Sequence, residues 1–534
     1  MIKSRINFKK AIAIFIVMVM AVSIGVLPVS AASPEESGLL PVRAIFEADG
    51  ADVTWNDDER AINIEWAGNT IVLHTRRPVA YVNDEAVTLQ DGVILREGSS
   101  FISQSDLSKV AGNELIALNF MARFASGDIL GMARMTTPEM QAAVAEVFAA
   151  VYQEVLMRYG SFIDRNIADS QEHESMTVFD FAVNSTIGVG GYRVVVNSGG
   201  QIEGFTGLGF TLVPLPVPEN AAYTAEPVII GEDTEWALDG LLTMPRGATK
   251  DKPVPAVVLV HGSGANNMDQ SIFDNRPFHD IADYLSSNGI AVLRYNKRTL
   301  THGAAFVQAF GDEATVWEET IDDAVLAAAI LQDDPRISRV YVAGNSLGGI
   351  LAPKIAEEGK LDGAILLAGS PRNLFEVQYD QNIQSIKDSL SAGLMTQGEA
   401  DALFIIVEDM LEEARNLPDL TAEEMQGMTV FGVPAVYQRS IMDALPLPII
   451  SRNKIPTLIL HGDRDFQVYT DKDFNVFVEQ TKGYAHVQTK LYDNLNHIFM
   501  KSQTEFNDLR EYTVPGRVDE QALKDIAEWI HSHK

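Results

Sequence analysis

The most constraining feature of this sequence is an apolar run that ends in a serine framed by glycines. Residues 340–343 read Val-Tyr-Val-Ala, and residues 344–348 read Gly-Asn-Ser-Leu-Gly. A buried strand that runs directly into this pentapeptide, with a helical pattern after it, predicts a sharp strand-to-helix turn with Ser346 at its apex. The N-terminus of the helix would direct backbone N–H groups into the same space. The pattern is typical of a serine held above the edge of a sheet as a nucleophile.

The chain around this turn alternates short apolar runs with helical spacing. The runs predicted as strands are 256–260, 290–295, 339–343, 364–368 and 457–461, and the intervening helical patterns are 278–287, 318–331 and 348–358. Strands that are apolar throughout and are separated by helices indicate a parallel sheet covered on both faces. We therefore predict one α/β domain over residues 225–534. The helical, acidic, methionine-containing stretch 372–453 interrupts this rhythm and is predicted to be a cap.

The base and the acid that a serine nucleophile needs are expected downstream. A serine hydroxyl is a weak nucleophile until a base takes its proton, and in this architecture the acid and then the histidine follow the serine along the chain. The strand predicted after the cap is followed by Asp463 and Asp465. Asp465 lies further past the strand end and is the preferred acid, whereas Asp463 favours a turn that braces the loop. His497, in a loop after the predicted strand 487–492, is the candidate base.

A second glycine-rich turn supplies candidates for stabilising negative charge. Residues 261–264 read His-Gly-Ser-Gly and follow the first predicted parallel strand. Such a turn can present a backbone N–H to a developing oxyanion. We predict that the N–H groups of Ser263 and Leu347 form this oxyanion hole and that His261 orders the loop. Arg294, Lys297 and Arg298 are expected to brace the loop through salt bridges.

These residues together resemble the α/β-hydrolase fold, and in particular its exported bacterial esterase and serine aminopeptidase-like branch. The resemblance covers residues 225–534 and rests on the segments 261–264, 294–298, 344–348, 463–468 and 496–497. It implies a Ser–His–Asp acyl-enzyme mechanism. Asn345 departs from the family, because this position is often held by histidine. We expect no cofactor and no metal, since the histidines form no metal-like cluster.

The N-terminal segment predicts export. A basic start and an apolar run lead to small residues at Ser30-Ala31-Ala32, which is the pattern of a cleaved secretory signal over residues 1–32. The apolar run also has nearly the length of an uncleaved membrane anchor, although Pro28 favours cleavage. We therefore expect a secreted or cell-surface protein with no membrane span after cleavage.

Two smaller segments precede the predicted α/β domain. Residues 33–112 are β-rich and resemble the copper amine oxidase N-terminal-like domain of exported bacterial proteins, on the helix 41–47, the strand 50–55 and the turn 80–83. We predict a surface-display or adhesion module without copper, since His74 is its sole histidine and copper needs several nitrogen ligands. Residues 113–218 predict a small α+β module that ends in a proline-rich linker.

Composition restricts the function further. The 41 basic and 73 acidic residues give a formal net charge of −32, which disfavours nucleic-acid binding. With no cysteine, thiol chemistry and disulfides are excluded. Our leading hypothesis is hydrolysis of short- to medium-chain carboxylic esters, so that a small-molecule ester is the expected substrate. The alternatives are a serine peptidase of aminopeptidase or acylaminoacyl type, with Glu408, Asp409, Glu412 and Glu413 as candidate amine ligands, and a surface protein whose first modules bind a cell-wall polymer.

Overall fold

The computed structural model describes residues 39–533, so the predicted signal segment 1–32 lies outside the described residues. The chain forms two compact units, residues 39–214 and residues 215–533. Within the described part of the chain, no helix is both long enough and apolar enough to cross a bilayer.

The first unit combines antiparallel strands with two long helices and two short ones. Its elements are β1 (Leu39–Pro41), α1 (Val42–Glu47), β2 (Asp52–Asn56), β3 (Ala61–Trp66), β4 (Asn69–His74), β5 (Val79–Val82), β6 (Glu85–Thr88), β7 (Ile94–Arg96), β8 (Ser99–Ser103), α2 (Gln104–Ser126), α3 (Ile129–Arg134), α4 (Pro138–Tyr159), β9 (Phe162–Glu172), β10 (Met176–Ser185), β11 (Gly188–Asn197) and β12 (Ile202–Leu212). Strands β2 to β6 form a five-stranded meander, and β9 to β12 form a four-stranded antiparallel sheet.

The two predicted segments 33–112 and 113–218 share one hydrophobic core. Helix α2 runs across the predicted boundary, and its backbone is interrupted at Gly112, with φ 72° and ψ 176°. Buried residues on either side of this glycine, among them Leu107 and Phe120, belong to the same apolar cluster. The chain therefore turns at Gly112 while the packing continues through it.

The second unit is built on an eight-stranded sheet. Its elements are β13 (Tyr223–Ile230), β14 (Leu238–Pro245), β15 (Val254–Val260), α5 (Pro277–Ser287), β16 (Ala291–Tyr295), α6 (Arg298–Thr301), α7 (Gly303–Phe310), α8 (Asp322–Asp333), β17 (Ile337–Asn345), α9 (Leu347–Glu358), β18 (Gly363–Leu367), α10 (Leu374–Ser391), α11 (Gln397–Arg415), α12 (Ala422–Met425), β19 (Thr429–Val430), β20 (Val433–Pro434), α13 (Ala435–Met442), α14 (Pro446–Asn453), β21 (Thr457–Gly462), α15 (Asn475–Gln480), β22 (Val487–Tyr492) and α16 (Glu520–Ser532).

The sheet is mostly parallel. Its strand order is β13-β14-β16-β15-β17-β18-β21-β22, in which β14 pairs antiparallel with β13 and β16 while the neighbours from β16 to β22 pair parallel. Strands such as β18 are buried along their whole length because helices cover both faces. The carboxyl ends of β15, β17, β21 and β22 consequently lie along one edge, where a fold of this type carries its functional loops.

The stretch predicted as a cap, residues 372–453, is inserted between β18 and β21 and contains α10 to α14. It has its own apolar cluster, which includes Phe375, Val407 and Leu417. The methionines that the sequence draws attention to, Met395, Met410, Met425, Met428 and Met442, all pack in or against this cluster. Arg372 fastens the start of the cap, since its guanidinium bonds Asp473 of the core and Asp380 of α10 at 2.8 Å each.

Candidate active site

The turn between β17 and α9 has the sharp geometry that its glycines predict. Ser346 has φ 56° and ψ −117°, a conformation that side-chain-bearing residues rarely adopt and that costs about 1–3 kcal/mol. Its backbone N–H donates to the carbonyl oxygen of Leu367 at 2.9 Å, which fixes the turn to β18. The serine is therefore presented at the end of the central strands, partly accessible to solvent.

The two glycines of the pentapeptide are required by close backbone contacts. A Cβ at Gly344 would lie 2.0 Å from the carbonyl oxygen of Gly348, and a Cβ at Gly348 would lie 2.3 Å from that of Val260. Both distances are far below van der Waals contact with backbone atoms, which cannot move aside cheaply. The spacing Gly-x-Ser-x-Gly is thus imposed by the packing of this turn against β15 and its own helix.

Asp465 and His497 form a buried hydrogen-bonded pair. His497 Nδ1 lies 2.7 Å from Asp465 Oδ2, and the other carboxylate oxygen accepts from the backbone N–H groups of Gln467 and Val468 at 2.8 and 2.9 Å. Burial alone would raise the pKa of Asp465, but His497 beside it, the nearby His461 and the backbone N–H of Val468 hold that pKa below its usual value. An ionised carboxylate accepts the Nδ1 proton, so the neutral imidazole keeps Nε2 as its basic nitrogen.

The loop that carries His497 is held against the serine turn. Asn345, the residue before Ser346, donates from Nδ2 to the carbonyl oxygens of His497 and Leu367, each at 3.2 Å. Asp463 is exposed and accepts from the backbone N–H of Asn494 at 2.6 Å, so it braces the start of this loop. The structure therefore brings together Asp465 and His497 and joins the backbone at His497 to the residue beside Ser346.

Gln270 links the serine turn to the loop of Ser263. Its Oε1 accepts from the N–H of Gly262 at 2.8 Å, and its Nε2 donates to Asn345 Oδ1 at 2.7 Å. The side chain is 8% exposed. No pattern in the sequence marks this residue, because it is a lone glutamine in a loop, 75 residues before its partner.

His261 orders the loop, as its position at the end of β15 predicts. Its Nε2 lies 3.0 Å from the carbonyl oxygen of Asn267, and its ring packs edge-on against Tyr295. Burial, and secondarily the charge of Lys297, lower the pKa of His261 to about 3. The ring is therefore neutral at physiological pH and serves as a hydrogen-bond donor to the loop.

The three basic residues near this loop act differently from one another. Lys297 reaches the loop directly, donating to the carbonyl oxygen of Gly262 at 3.0 Å. Arg294 forms a buried ion pair with Asp269, which lies further along the same loop. Arg298 instead pairs with Asp323 at the start of α8, so it does not brace the loop through a salt bridge of its own.

Of the remaining side chains, His461 borders this arrangement, with its Nε2 3.9 Å from Asp465 Oδ2. Glu408, Asp409, Glu412 and Glu413 are on the exposed face of α11. His461 is buried and stacks on Phe474 with 5.5 Å between ring centroids. His74 in the first unit is 3.0 Å from Arg77 through Nε2. Among residues 39–533 no group of three or more metal-ligating side chains is close enough to hold an ion.

Family comparisons agree with this architecture. Residues 257–509 match the alpha/beta hydrolase family model, and residues 24–116 match the copper amine oxidase N-terminal domain model. The chain thus contains an α/β-hydrolase domain preceded by a copper amine oxidase N-terminal domain, as the sequence predicts.

The domain is carboxylesterase-like by sequence. Over 294 residues the chain is 38% identical to esterase EstD of Thermotoga maritima. The match covers 55% of this chain and 65% of EstD, so the chain spans slightly less than two thirds of that relative. Among solved structures, Est1E from Butyrivibrio proteoclasticus is similar at 16% identity with a TM-score of 0.36, and the match covers 57% of this chain and 98% of Est1E. A Mycobacterium tuberculosis puromycin-hydrolyzing peptidase is similar at 17% identity with a TM-score of 0.38, and that match covers 70% of this chain and 48% of the peptidase.

Proposed function

We propose that the second unit hydrolyses short- to medium-chain carboxylic esters with Ser346 as nucleophile. The observation that carries the proposal is the buried Asp465–His497 pair, whose loop is bonded through Asn345 to the strained turn of Ser346. A neutral imidazole oriented by a buried carboxylate is what a serine hydroxyl needs as a base. The likeness to a relative named an esterase supports an ester as substrate.

In the proposed reaction His497 moves protons and Ser346 carries the acyl group. Ser346 Oγ attacks the ester carbonyl while His497 Nε2 takes its proton, and the imidazolium is stabilised by Asp465. The N–H groups of Ser263 and Leu347 bind the oxyanion. The C–O bond then breaks as the imidazolium protonates the leaving alcohol. Water attacks the acyl-enzyme, gives a proton to His497, and the serine leaves with that proton as the acid is released.

A serine peptidase is the second candidate, and one observation weakens its aminopeptidase form. The four carboxylates that would hold a substrate amine lie on the solvent-facing side of α11, and Glu412 bonds Arg415 on the same face at 2.5 Å. An exposed acidic helix face is the ordinary arrangement for a soluble helix. These residues therefore give no support to amine recognition.

The proposal is tested by labelling and by a substrate series. Full-length wild type should be labelled by a fluorophosphonate probe, and Ser346→Ala should not. Wild type should hydrolyse p-nitrophenyl esters, with its highest kcat/KM between acetate and octanoate, and should act poorly on amino-acid anilides. Labelling that persists in Ser346→Ala would reject the nucleophile, and a preference for anilides would favour the peptidase.

We also propose that the protein is exported and that its first unit binds a cell-wall polymer. A groove of about 400 Å³ in this unit is lined by Trp55, Leu95, Arg43 and Arg96, and the first two side chains are 40% and 44% exposed. The guanidinium of Arg60 lies over the Trp55 ring, 5.5 Å from its centroid. A partly exposed indole beside guanidinium groups suits a sugar ring with anionic substituents. Full-length protein should cosediment with purified cell wall, and Trp55→Ala should abolish cosedimentation while leaving ester hydrolysis intact. Equal cosedimentation would contradict the role.

Export is tested separately. N-terminal sequencing of the protein recovered from the culture medium or the cell surface should begin just after Ala32. Retention inside the cell with residues 1–32 intact would contradict it.

A further inference from the structure

The peptide group between Gly262 and Ser263 is held by a buried ammonium. The N–H of Ser263 is a proposed oxyanion donor, and the carbonyl oxygen of the same peptide group, on Gly262, accepts from Lys297 Nζ at 3.0 Å and from Asn266 Nδ2 at 3.2 Å. In a trans peptide the N–H points opposite to the C=O. A Cβ at Gly262 would lie 3.2 Å from the Cβ of Ser346, so this peptide group borders the nucleophile.

Lys297 is part of a chain of contacts that begins in the cap. Its side chain is 2% exposed, and its Nζ pairs with Glu319 Oε1 at 3.1 Å. Glu319 lies in a π-helical turn, Trp317–Ile321, a distortion frequent at functional sites. The second carboxylate oxygen of Glu319 accepts from the hydroxyl of Tyr437, which lies on α13 of the cap.

A second bond joins the same two elements. Ser440 on α13 accepts through Oγ from the backbone N–H of Val316, directly before the π-helical turn, at 3.1 Å. Burial, together with the neighbouring Glu319, raises the pKa of Tyr437, so the phenol stays protonated and remains a donor. Helix α13 is therefore fixed to the residues that hold the counter-ion of Lys297.

We infer that Lys297, Glu319 and Tyr437 are positioning residues that keep the Gly262–Ser263 peptide group oriented and polarised as an oxyanion donor, so that the cap contributes to the oxyanion hole through Tyr437. The inference rests on the proposed ester hydrolysis. A cation at the carbonyl oxygen draws electron density towards that end of the amide and makes the N–H a stronger donor. It also opposes rotation of the peptide group, since rotation would break a buried charge-assisted bond.

Loss of this positioning should weaken binding of the transition state. Removing one oxyanion donor costs about 10²–10³ in kcat. Weakening a donor that remains in place should cost less, about tenfold in kcat for Lys297→Met/Glu319→Gln, with KM changed less than about twofold. This double variant removes both charges, so that neither is left buried without its partner. Tyr437→Phe, which removes one hydroxyl, should lower kcat about threefold.

The experiment compares these variants of the full-length chain with a matched control. Arg298→Met/Asp323→Asn removes a neighbouring, equally buried ion pair that has no bond to residues 262–263. For each variant we would measure kcat and KM on p-nitrophenyl butyrate, the inhibition constant of a trifluoromethyl ketone, and the melting temperature. The ketone forms an oxyanion in the site, so its inhibition constant should rise in proportion to the fall in kcat for the Lys297/Glu319 and Tyr437 variants only.

The outcomes separate this inference from the function on which it rests. A Lys297→Met/Glu319→Gln enzyme with unchanged kcat and ketone inhibition would overturn the inference. If this double variant does not fold, the test rests on Tyr437→Phe. Unchanged kcat and ketone inhibition in Tyr437→Phe would overturn the role of the cap. An equal rise in the ketone inhibition constant for the Arg298/Asp323 control would attribute the effect to general destabilisation. Failure of the proposed function would instead appear in the wild type, which would not be labelled at Ser346.

Discussion

Asp463 and Asp465 lie two residues apart on one loop, yet their surroundings differ in ways that decide their chemistry. Asp465 is 5% exposed, bonds His497 and accepts from two backbone N–H groups. Asp463 faces solvent and accepts from the backbone of Asn494. The residue further from the strand end therefore meets the imidazole, and the nearer one holds the loop in shape. This division matches the distance argument made from the sequence.

The first prediction contrasts the two carboxylates. Asp465→Asn should lower kcat for ester hydrolysis by about 10⁴, because an amide no longer stabilises the imidazolium and favours the wrong tautomer. Asp463→Asn should lower it by no more than about tenfold, since it loosens a loop without touching the imidazole. Steady-state kinetics at pH 7.5 would check both values. Equal losses in the two variants would contradict the assignment of Asp465.

The second prediction concerns stability and pH. Burial lowers the pKa of His461 below that of an exposed histidine. As the pH falls below about 6.5, His461 binds a proton in the unfolded chain but stays neutral in the folded chain. The stability present at higher pH is therefore lost as the pH falls. His461→Gln should reduce this loss between pH 7 and 5 by at most about 1.4 kcal/mol per pH unit. Calorimetric melting across this range would measure it, and parallel profiles for wild type and variant would contradict it.

At the scale of elements, the site depends on how closely loops approach strand ends. Gly462 closes β21, and a Cβ there would lie 2.2 Å from the carbonyl oxygen of Leu495, in the loop that carries His497. The backbone N–H groups of Asp463 and Arg464 donate to the carbonyl oxygens of Tyr492 and Leu495, and the N–H of Asn494 donates to the Asp463 carboxylate. These bonds leave the loop little freedom to move away. The position of the imidazole is consequently fixed by backbone packing as much as by Asp465.

The third prediction tests this packing. Gly462→Ala should displace the histidine loop and lower kcat at least about tenfold, with a melting temperature lowered by several degrees. Gly398→Ala is the matched control, because a Cβ there meets nothing within 4 Å and the residue lies in the first turn of α11. It should leave kcat unchanged and add up to about 1 kcal/mol of stability. A fully active Gly462→Ala enzyme would show that the contact is unimportant.

The central elements were predictable because their signals are local. The parallel strands are continuous apolar runs, and β22 has the predicted bounds. Strand β9 was missed because its sequence, FIDRNIADSQE, is polar and it pairs on one side only. Strands β13 and β14 were missed because they are antiparallel additions outside the strand–helix rhythm.

The residues of the candidate site also differ in how far the sequence alone points to them. Motif and chain order are enough to propose Ser346, Asp465 and His497, and the structure pairs the last two. Neither signal marks Gln270, Glu319 or Tyr437, since the partners of these residues lie 75, 22 and 118 residues away and are brought near only by the packing of the folded domain. The methionines of the cap pack in or against its interior cluster, because a small helical insertion needs a core of its own.

At the scale of the whole molecule, the described chain consists of two units that each bury their own core. Residues 213–220 connect them as an exposed segment that forms almost no regular structure and contains Pro214, Pro216 and Pro218. Prolines stiffen such a segment and slow most proteases, whereas the single glutamate in it, Glu219, remains a cleavable position.

The fourth prediction uses this position. Limited digestion with a glutamate-specific protease should cut first at Glu219 and yield two stable fragments, identified by mass spectrometry. The larger, C-terminal fragment should keep its fluorophosphonate label, because every residue of the proposed site follows residue 219. Early cleavage within residues 225–533, with loss of labelling, would contradict the division.

Strand β22 is the last strand of the large sheet and pairs only with β21, yet His497 follows it by five residues. A terminal strand frays before the interior of a sheet does, since fewer hydrogen bonds must open. On gentle warming, turnover should therefore fade while the circular dichroism of the domain is still intact, and it should return on cooling. The working temperature of such a catalyst would be set by its outermost strand, and its melting point by the strands at its centre.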